Sequence, residues 1–129
     1  MSKAFEPVQT DAAPAAIGPY SQAVKAGDLV FLSGQIPLVP ETMKIVEGGI
    51  EAQIEQVFDN LTAVTEAAGG SLAQVLKFNV FLTDLANFAA VNAAMEARLG
   101  APYPARAAVQ VSALPRGAEV EVEAVMRLV

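Results

Sequence analysis

Four places in the chain hold residue types that do not fit their surroundings, and each suggests a kind of chemistry. Arg106 follows Tyr103-Pro104-Ala105 and enters a run of small and apolar residues. Its face of that run carries Ala108, Gln110 and Ser112, which leaves room beside a guanidinium whose planar fork suits bidentate binding of a carboxylate. The other reading is an edge arginine paired with a glutamate of the same chain. Glu119, Glu121 and Glu123 alternate with Val120, Val122 and Ala124, so the three carboxylates share one face of a strand. Like charges repel there, and solvent exposure is the plain expectation. Should one of them face a polar cavity instead, its like-charged neighbour would raise its pKa and suit it to accept a proton. Ser33-Gly34-Gln35 offers a hydroxyl and an accessible backbone N–H at a strand break, a weak signal because Ser-Gly turns are common. Asn92 lies inside an apolar helical stripe, between Phe88 and Met95. A buried amide must be hydrogen-bonded, to a loop carbonyl or to a ligand.

What the chain lacks narrows the chemistry further. It has no Cys, no His and no Trp. Disulfides, thiolate nucleophiles, Ser-His-Asp triads and the usual structural zinc sites are excluded, and no spacing of residues suggests another metal. Proton transfer and binding fall to Arg, Lys, Asp, Glu, Tyr, Ser, Thr, backbone groups and bound water. Eight basic residues against fourteen acidic give a net charge of −6, and the basic residues form no run, so a nucleic-acid surface is not expected. No apolar run approaches the ~20 residues that span a bilayer, and the N-terminal stretch lacks the apolar core of a secretory signal. The cytoplasm is the expected address.

These residues must be positioned by one domain, since 129 residues show no repeat, linker or low-complexity tract. The first nineteen residues read as an extended arm, mobile unless docked. Short β-like runs at Tyr20 to Val24 and Leu29 to Leu32 flank a turn at Ala26-Gly27-Asp28, and Ser33 to Pro37 interrupts the second. Lys44 to Val46 has strand character. Ile50, Ile54, Val57, Phe58, Leu61 and Val64 predict a helix over 49–68, stopped by Gly69-Gly70. Ser71 and Gln74 have capping-box spacing. Val75 to Thr83 alternates, with Leu76, Phe78, Val80 and Leu82 on one face. Asp84 is a suitable N-cap for a second helix over 85–98, with Leu85, Phe88, Met95 and Leu99 on its apolar stripe. Strands over 105–113 and 118–128 follow, joined by Leu114-Pro115-Arg116-Gly117. They are expected to form one hairpin, with Arg106 and Glu121 on a shared face. The order is β-β-α-β-α-β-β, an α+β sheet with two helices packed on one face. At 53% hydrophobic and 17% charged, so small a chain is expected to cover part of its surface with copies of itself.

Five strings occur in order: Ala15-Ala16-Ile17-Gly18-Pro19-Tyr20-Ser21-Gln22-Ala23, Ser33-Gly34-Gln35-Ile36-Pro37, Phe81-Leu82-Thr83-Asp84, Pro104-Ala105-Arg106, and Leu114-Pro115-Arg116-Gly117-Ala118 followed by Glu121-Val122-Glu123-Ala124. Together they resemble the RidA (YjgF, or L-PSP) family of imine and enamine deaminases, from about Thr10 to Met126. The resemblance implies a chorismate-mutase-like α+β fold and a homotrimer with ligand clefts between subunits. It implies hydrolysis of 2-aminoacrylate-, 2-iminobutanoate- and 2-iminopropanoate-type acids to 2-keto acids and ammonia. Arg106 would bind the substrate carboxylate and Glu121 position the attacking water, with Tyr20, Ser33, Gly34 and Asn92 on cleft positions. An imine carbon is already electrophilic, so no metal or organic cofactor is expected. The chain departs from the family pattern at Met43, a turn position usually glycine, and at Ala107 and Ala108, departures that bear on substrate size. The alternatives are a non-catalytic small-ligand-binding or regulatory protein of the same fold and, disfavoured by the acidic charge and missing His, a ribonuclease or translation inhibitor.

Overall fold

The computed structural model describes residues 4–129. Along the chain run β1 (Glu6–Val8), β2 (Ala23–Ala26), β3 (Leu29–Gln35), β4 (Leu38–Val39), β5 (Lys44–Ile45), α1 (Ile50–Ala67), β6 (Val75–Leu82), α2 (Phe88–Arg98), β7 (Ala105–Gln110) and β8 (Val120–Arg127). The expected succession is present, with β1 and the small β4–β5 hairpin added to it. Six strands form one sheet in the order β1-β2-β3-β8-β6-β7, antiparallel except for the parallel pair β6–β7.

The apolar stripe of α1 packs on that sheet as its period requires. Ile54, Val57, Phe58, Leu61 and Val64 are buried against Val30 and Leu32 of β3, Phe78, Val80 and Leu82 of β6, and Val120, Val122, Ala124 and Met126 of β8. Phe58 meets Phe78 edge to face, with ring centroids 5.9 Å apart. α1 ends where Gly69 adopts φ 97° and the Gly70 N–H turns back to the Thr65 carbonyl at 2.9 Å. Ser71 and Gln74 form the expected capping box. The Asp84 carboxylate accepts from the Ala86 N–H at 2.9 Å, but it caps a 3-10 turn that precedes α2. That turn shifts the helical phase, so Leu85 is exposed and Val91 is buried in its place, beside Met95 and Leu99. The opposite face of the sheet carries no helix. Phe31 and Val109 are exposed on it, flanked by half-buried Phe81 and Val125.

One conditional expectation is settled and three need correction. The N-terminal arm is docked: β1 pairs with β2, and the buried Gln22 side chain holds the following segment. Its Oε1 accepts from the Thr10 N–H at 2.8 Å, and its Nε2 donates to the carbonyls of Thr10 at 3.0 Å and Pro14 at 2.8 Å. Met1 to Lys3 of that arm lie outside the described residues. The strand expected to break at Ser33 continues to Gln35. The irregularity is a bulge, since Leu32 pairs with Ala124 and Gln35 with Val122, so that Ser33 and Gly34 face Glu123 alone. Leu76 is exposed, because a second register shift between Val75 and Lys77 turns it out of the alternation. Finally, β7 and β8 form no hairpin. β6 lies between them, and β7 reaches its parallel place through α2, the crossover that parallel pairing needs. No helix among the described residues is long and apolar enough to cross a membrane.

Candidate functional site

The bulge in β3 builds the first group of functional side chains. It brings Ser33 and Gly34 beside β8, where Glu121 points from the open sheet face into a cleft of about 590 Å³. A Cβ on Gly34 would collide with Glu121 Oε2 and lie 3.0 Å from Cδ, so any larger residue there displaces the Glu121 carboxylate. The three glutamates meet different fates. Glu119 turns to α1, where its carboxylate accepts from Gln53 Nε2 at 3.1 Å. Glu123 accepts from Asn79 Nδ2 of β6 at 3.1 Å. Glu121 has no side-chain hydrogen-bond partner among the described residues. Burial pushes its carboxyl above the usual carboxylate range, and the Glu123 charge adds to the rise. All three are half-buried, so the exposure expected for such a run is not observed.

The rest of the cleft wall comes from loops tied down elsewhere. Tyr20 is 53% exposed, and its hydroxyl accepts from the Ile17 N–H at 3.4 Å. The Ser33 hydroxyl donates to the Ser21 carbonyl at 2.6 Å, and its amide donates to the Gln22 carbonyl at 3.0 Å, so neither donor is free. Asn60, buried on α1, donates to the Leu38 carbonyl at 3.0 Å and thereby fixes β4. Opposite Glu121, Arg116 Nη1 donates to the Met43 carbonyl at 2.6 Å. Both residues adopt φ 59°, where side chains are uncommon. Met43 stood out in the sequence as a departure at a turn position usually glycine, and Arg116 as part of the Leu114-Pro115-Arg116-Gly117 turn, but neither was expected at the site.

The second group sits on the helix face of the sheet. Arg106 of β7 is exposed, and its Nη1 donates to Asn92 Oδ1 of α2 at 2.6 Å. The guanidinium lies 4.8 Å from the centre of the Phe88 ring, a cation–π contact, and near Met95 Sδ at 3.6 Å. Asn92, Met95, Glu96, Tyr103, Pro104 and Arg106 line an open pocket of about 450 Å³. Asn92 bonds no loop carbonyl among the described residues; its Oδ1 accepts from Arg106. The intrachain glutamate pairing is absent too: the ion pairs among the described residues join Arg98 to Glu55 and Asp59, and Arg127 to Asp28.

The structure therefore brings Glu121, Ser33, Gly34 and Tyr20 together, and Arg106 with Asn92, but does not bring the two groups together. Arg106 is in register with Phe78, whose side chain is in the core under the helices. Glu121 is in register with Phe81 on the open face. The shared face expected for Arg106 and Glu121 is thus corrected: they lie on opposite faces, two strands apart.

Known proteins resemble the chain over nearly its whole length. A family model described as Endoribonuclease L-PSP matches residues 10–128. RutC family protein y4sK of Sinorhizobium fredii is 49% identical over 96% of this chain and 98% of its own. The 2-iminobutanoate/2-iminopropanoate deaminase of Dermatophagoides farinae is 42% identical over 92% of this chain and 93% of its own. The crystal structure of RidA from the Antarctic bacterium Psychrobacter sp. superposes with a TM-score of 0.92 at 58% identity, covering 95% of this chain and 99% of that one. With the motifs, the fold and the relatives in agreement, the chain belongs to the RidA (YjgF, L-PSP) family.

Proposed function

We propose that the protein hydrolyses 2-imino acids and their enamine tautomers, of the 2-aminoacrylate, 2-iminobutanoate and 2-iminopropanoate type, to 2-keto acids and ammonia. The observation that carries this reading is a pair of complementary groups, each left without an opposite charge. Arg106 is held by a neutral amide and an aromatic face, and Glu121 is a half-buried carboxylate without a hydrogen-bond partner. The relative named as a 2-iminobutanoate/2-iminopropanoate deaminase supports it.

In the reaction Arg106 binds the substrate carboxylate through parallel hydrogen bonds and fixes its orientation. Glu121 holds a water near C2 and takes its proton as the oxygen adds to the C=N carbon. Return of that proton to nitrogen gives the carbinolamine, and transfer of its hydroxyl proton to the same nitrogen, again through Glu121, lets ammonia leave as the C=O of the keto acid forms. Tyr20, Ser33, Gly34 and Asn92 shape and support the cleft. Because Arg106 and Glu121 lie on opposite sheet faces, one site combines Arg106 of one copy with Glu121 of a neighbour in a homotrimer. Phe31, Phe81, Val109 and Val125 on the open face supply apolar surface for that assembly. The family description as an endoribonuclease finds no support in a chain of net charge −6 without histidine.

The test generates 2-iminobutanoate in situ and follows 2-ketobutanoate. The protein is expected to accelerate its appearance well above the buffer rate. A non-catalytic binder leaves the rate unchanged, which would overturn the reading.

A further inference from the structure

We infer that the contact between Arg116 and Met43 sets side-chain selectivity, favouring 2-imino acids with extended aliphatic side chains over the three-carbon one; this rests on the deaminase reading above. In one chain the cleft holding Glu121 measures about 590 Å³, and the copy that brings Arg106 forms its remaining border. Its polar groups cluster around Glu121 and Ser33, whereas Ile17, Ile36, Leu38, Met43 and Pro115 give it an apolar wall. A cleft with a few convergent polar groups and an apolar remainder orients one end of a ligand and sorts ligands by the other.

Met43 is the member of that wall whose backbone the hairpin turn forces into a conformation disfavoured for a side chain. It ends the turn between β4 and β5 at φ 59°, a conformation glycine would adopt without cost. Its amide donates to the Val39 carbonyl at 2.7 Å, and its carbonyl accepts from Arg116 at 2.6 Å. Arg116 is itself at φ 59°, so two disfavoured backbones meet in one hydrogen bond at the edge of the cleft. Strain held at a cleft by bonds on both sides is the pattern of a functional constraint. The thioether is flexible and polarizable, suited to packing against aliphatic chains of differing length. Arg116 acts through Met43 as a positioning residue, and its charge is spent on a carbonyl.

The experiment compares kcat/KM for 2-imino-4-methylpentanoate and 2-iminopropanoate, both generated in situ, in the wild type, Met43→Ala, Met43→Gly, Arg116→Ala and Arg116→Lys. Met43→Ala is expected to lower the ratio of long to short substrate about tenfold, the scale on which apolar pockets discriminate. Arg116→Ala is expected to lower it in the same direction, with Arg116→Lys partly restoring it. Met43→Gly relieves the backbone while removing the side chain, so a fall in the ratio there cannot come from misfolding. Calorimetric binding of the two corresponding 2-keto acids gives the same ratio without turnover. If the wild type turns over neither imine but the binding ratio falls in Met43→Ala, the deaminase reading fails and the selectivity stands. A ratio unchanged within twofold in both Met43 variants overturns the selectivity, as does a wild type that binds neither keto acid.

Discussion

A guanidinium bonded to a neutral amide and resting on a π face keeps its full charge for a ligand, and that is the condition of Arg106. Replacing it with alanine removes charge-assisted hydrogen bonds worth about 1.5–3 kcal/mol each. Imine hydrolysis is expected to fall at least tenfold to about a hundredfold, with the thermal midpoint nearly unchanged because the side chain is exposed. Arg106→Lys is expected to rescue poorly, since a point charge lacks the planar fork. Steady-state rates together with melting curves check both; near wild-type turnover in a folded Arg106→Ala would remove Arg106 from the site. Glu121 makes a pH prediction with two opposite signs. Its pKa is raised in the folded protein by burial and by Glu123, so the native state binds this proton more tightly than the unfolded chain does. Stability from this group is fullest below the ordinary carboxylate pKa and declines as pH rises through the raised one. Activity moves the other way, because only the ionised carboxylate accepts a proton. The acid limb of kcat/KM is expected above the usual glutamate range of about 4.3. Glu121→Gln should slow turnover and flatten that slope in Tm against pH. A slope unchanged in the variant would show that another group titrates. Arg106 stood out in the sequence because a charged side chain in an apolar run demands a reason, whereas the alternation marked Glu119, Glu121 and Glu123 alike and only the family resemblance singled out Glu121. Gln22 did not stand out, since nothing in its neighbours announces that it clamps the segment from Thr10 to Pro14.

Strands and helices position these groups, and the bulge in β3 is the element with the least freedom to change. Gly34→Ala places a methyl group where the Glu121 carboxylate lies. The carboxylate must swing away, and a displacement of about 1 Å at a reacting group can cost about a hundredfold in rate. Gly34→Ala is therefore expected to lose kcat about as severely as Glu121→Gln while retaining substrate affinity through Arg106. A kcat within threefold of wild type would show that the carboxylate relaxes without penalty. The elements themselves were legible because period changes are local. The stripe from Ile50 to Val64 and the alternation of β8 each bury the residues they predict. Pairing is not local. The Leu114-Pro115-Arg116-Gly117 turn resembles a hairpin connection, yet it carries the chain past β6 before β8 begins. Bulges escape for a related reason: one extra residue in a strand reverses every side chain beyond it while barely changing the pattern.

At the scale of the whole molecule, opposite-face placement of Arg106 and Glu121 predicts that an active site needs more than one copy. Sedimentation is expected to give a trimer at micromolar concentration, and a stable monomer would contradict it. The sharper check mixes Arg106→Ala and Glu121→Gln chains, each inactive alone, under conditions that let subunits exchange. Random assembly leaves about a quarter of the intersubunit sites with both native groups, so activity should reappear on mixing. Sites built within one chain would stay dead. Assembly was expected from the apolar composition, but a surface to propose for it needed the sheet, since Phe31 meets Val125 and Phe81 meets Val109 only when distant strands pair, with Asn79 and Glu123 between the two pairs. The place of β8 in that sheet also bears on how the protein is made. It is the last strand in chain order yet lies between β3 and β6. A ribosome therefore releases β1, β2 and β3, then β6 and β7, as separate fragments with bare inner edges. The strand that joins them emerges only after both. Such an arrangement allows no half-finished domain to become stable on the ribosome. It also delays formation of Glu121 and of the wall it faces until the closing strand slides into place.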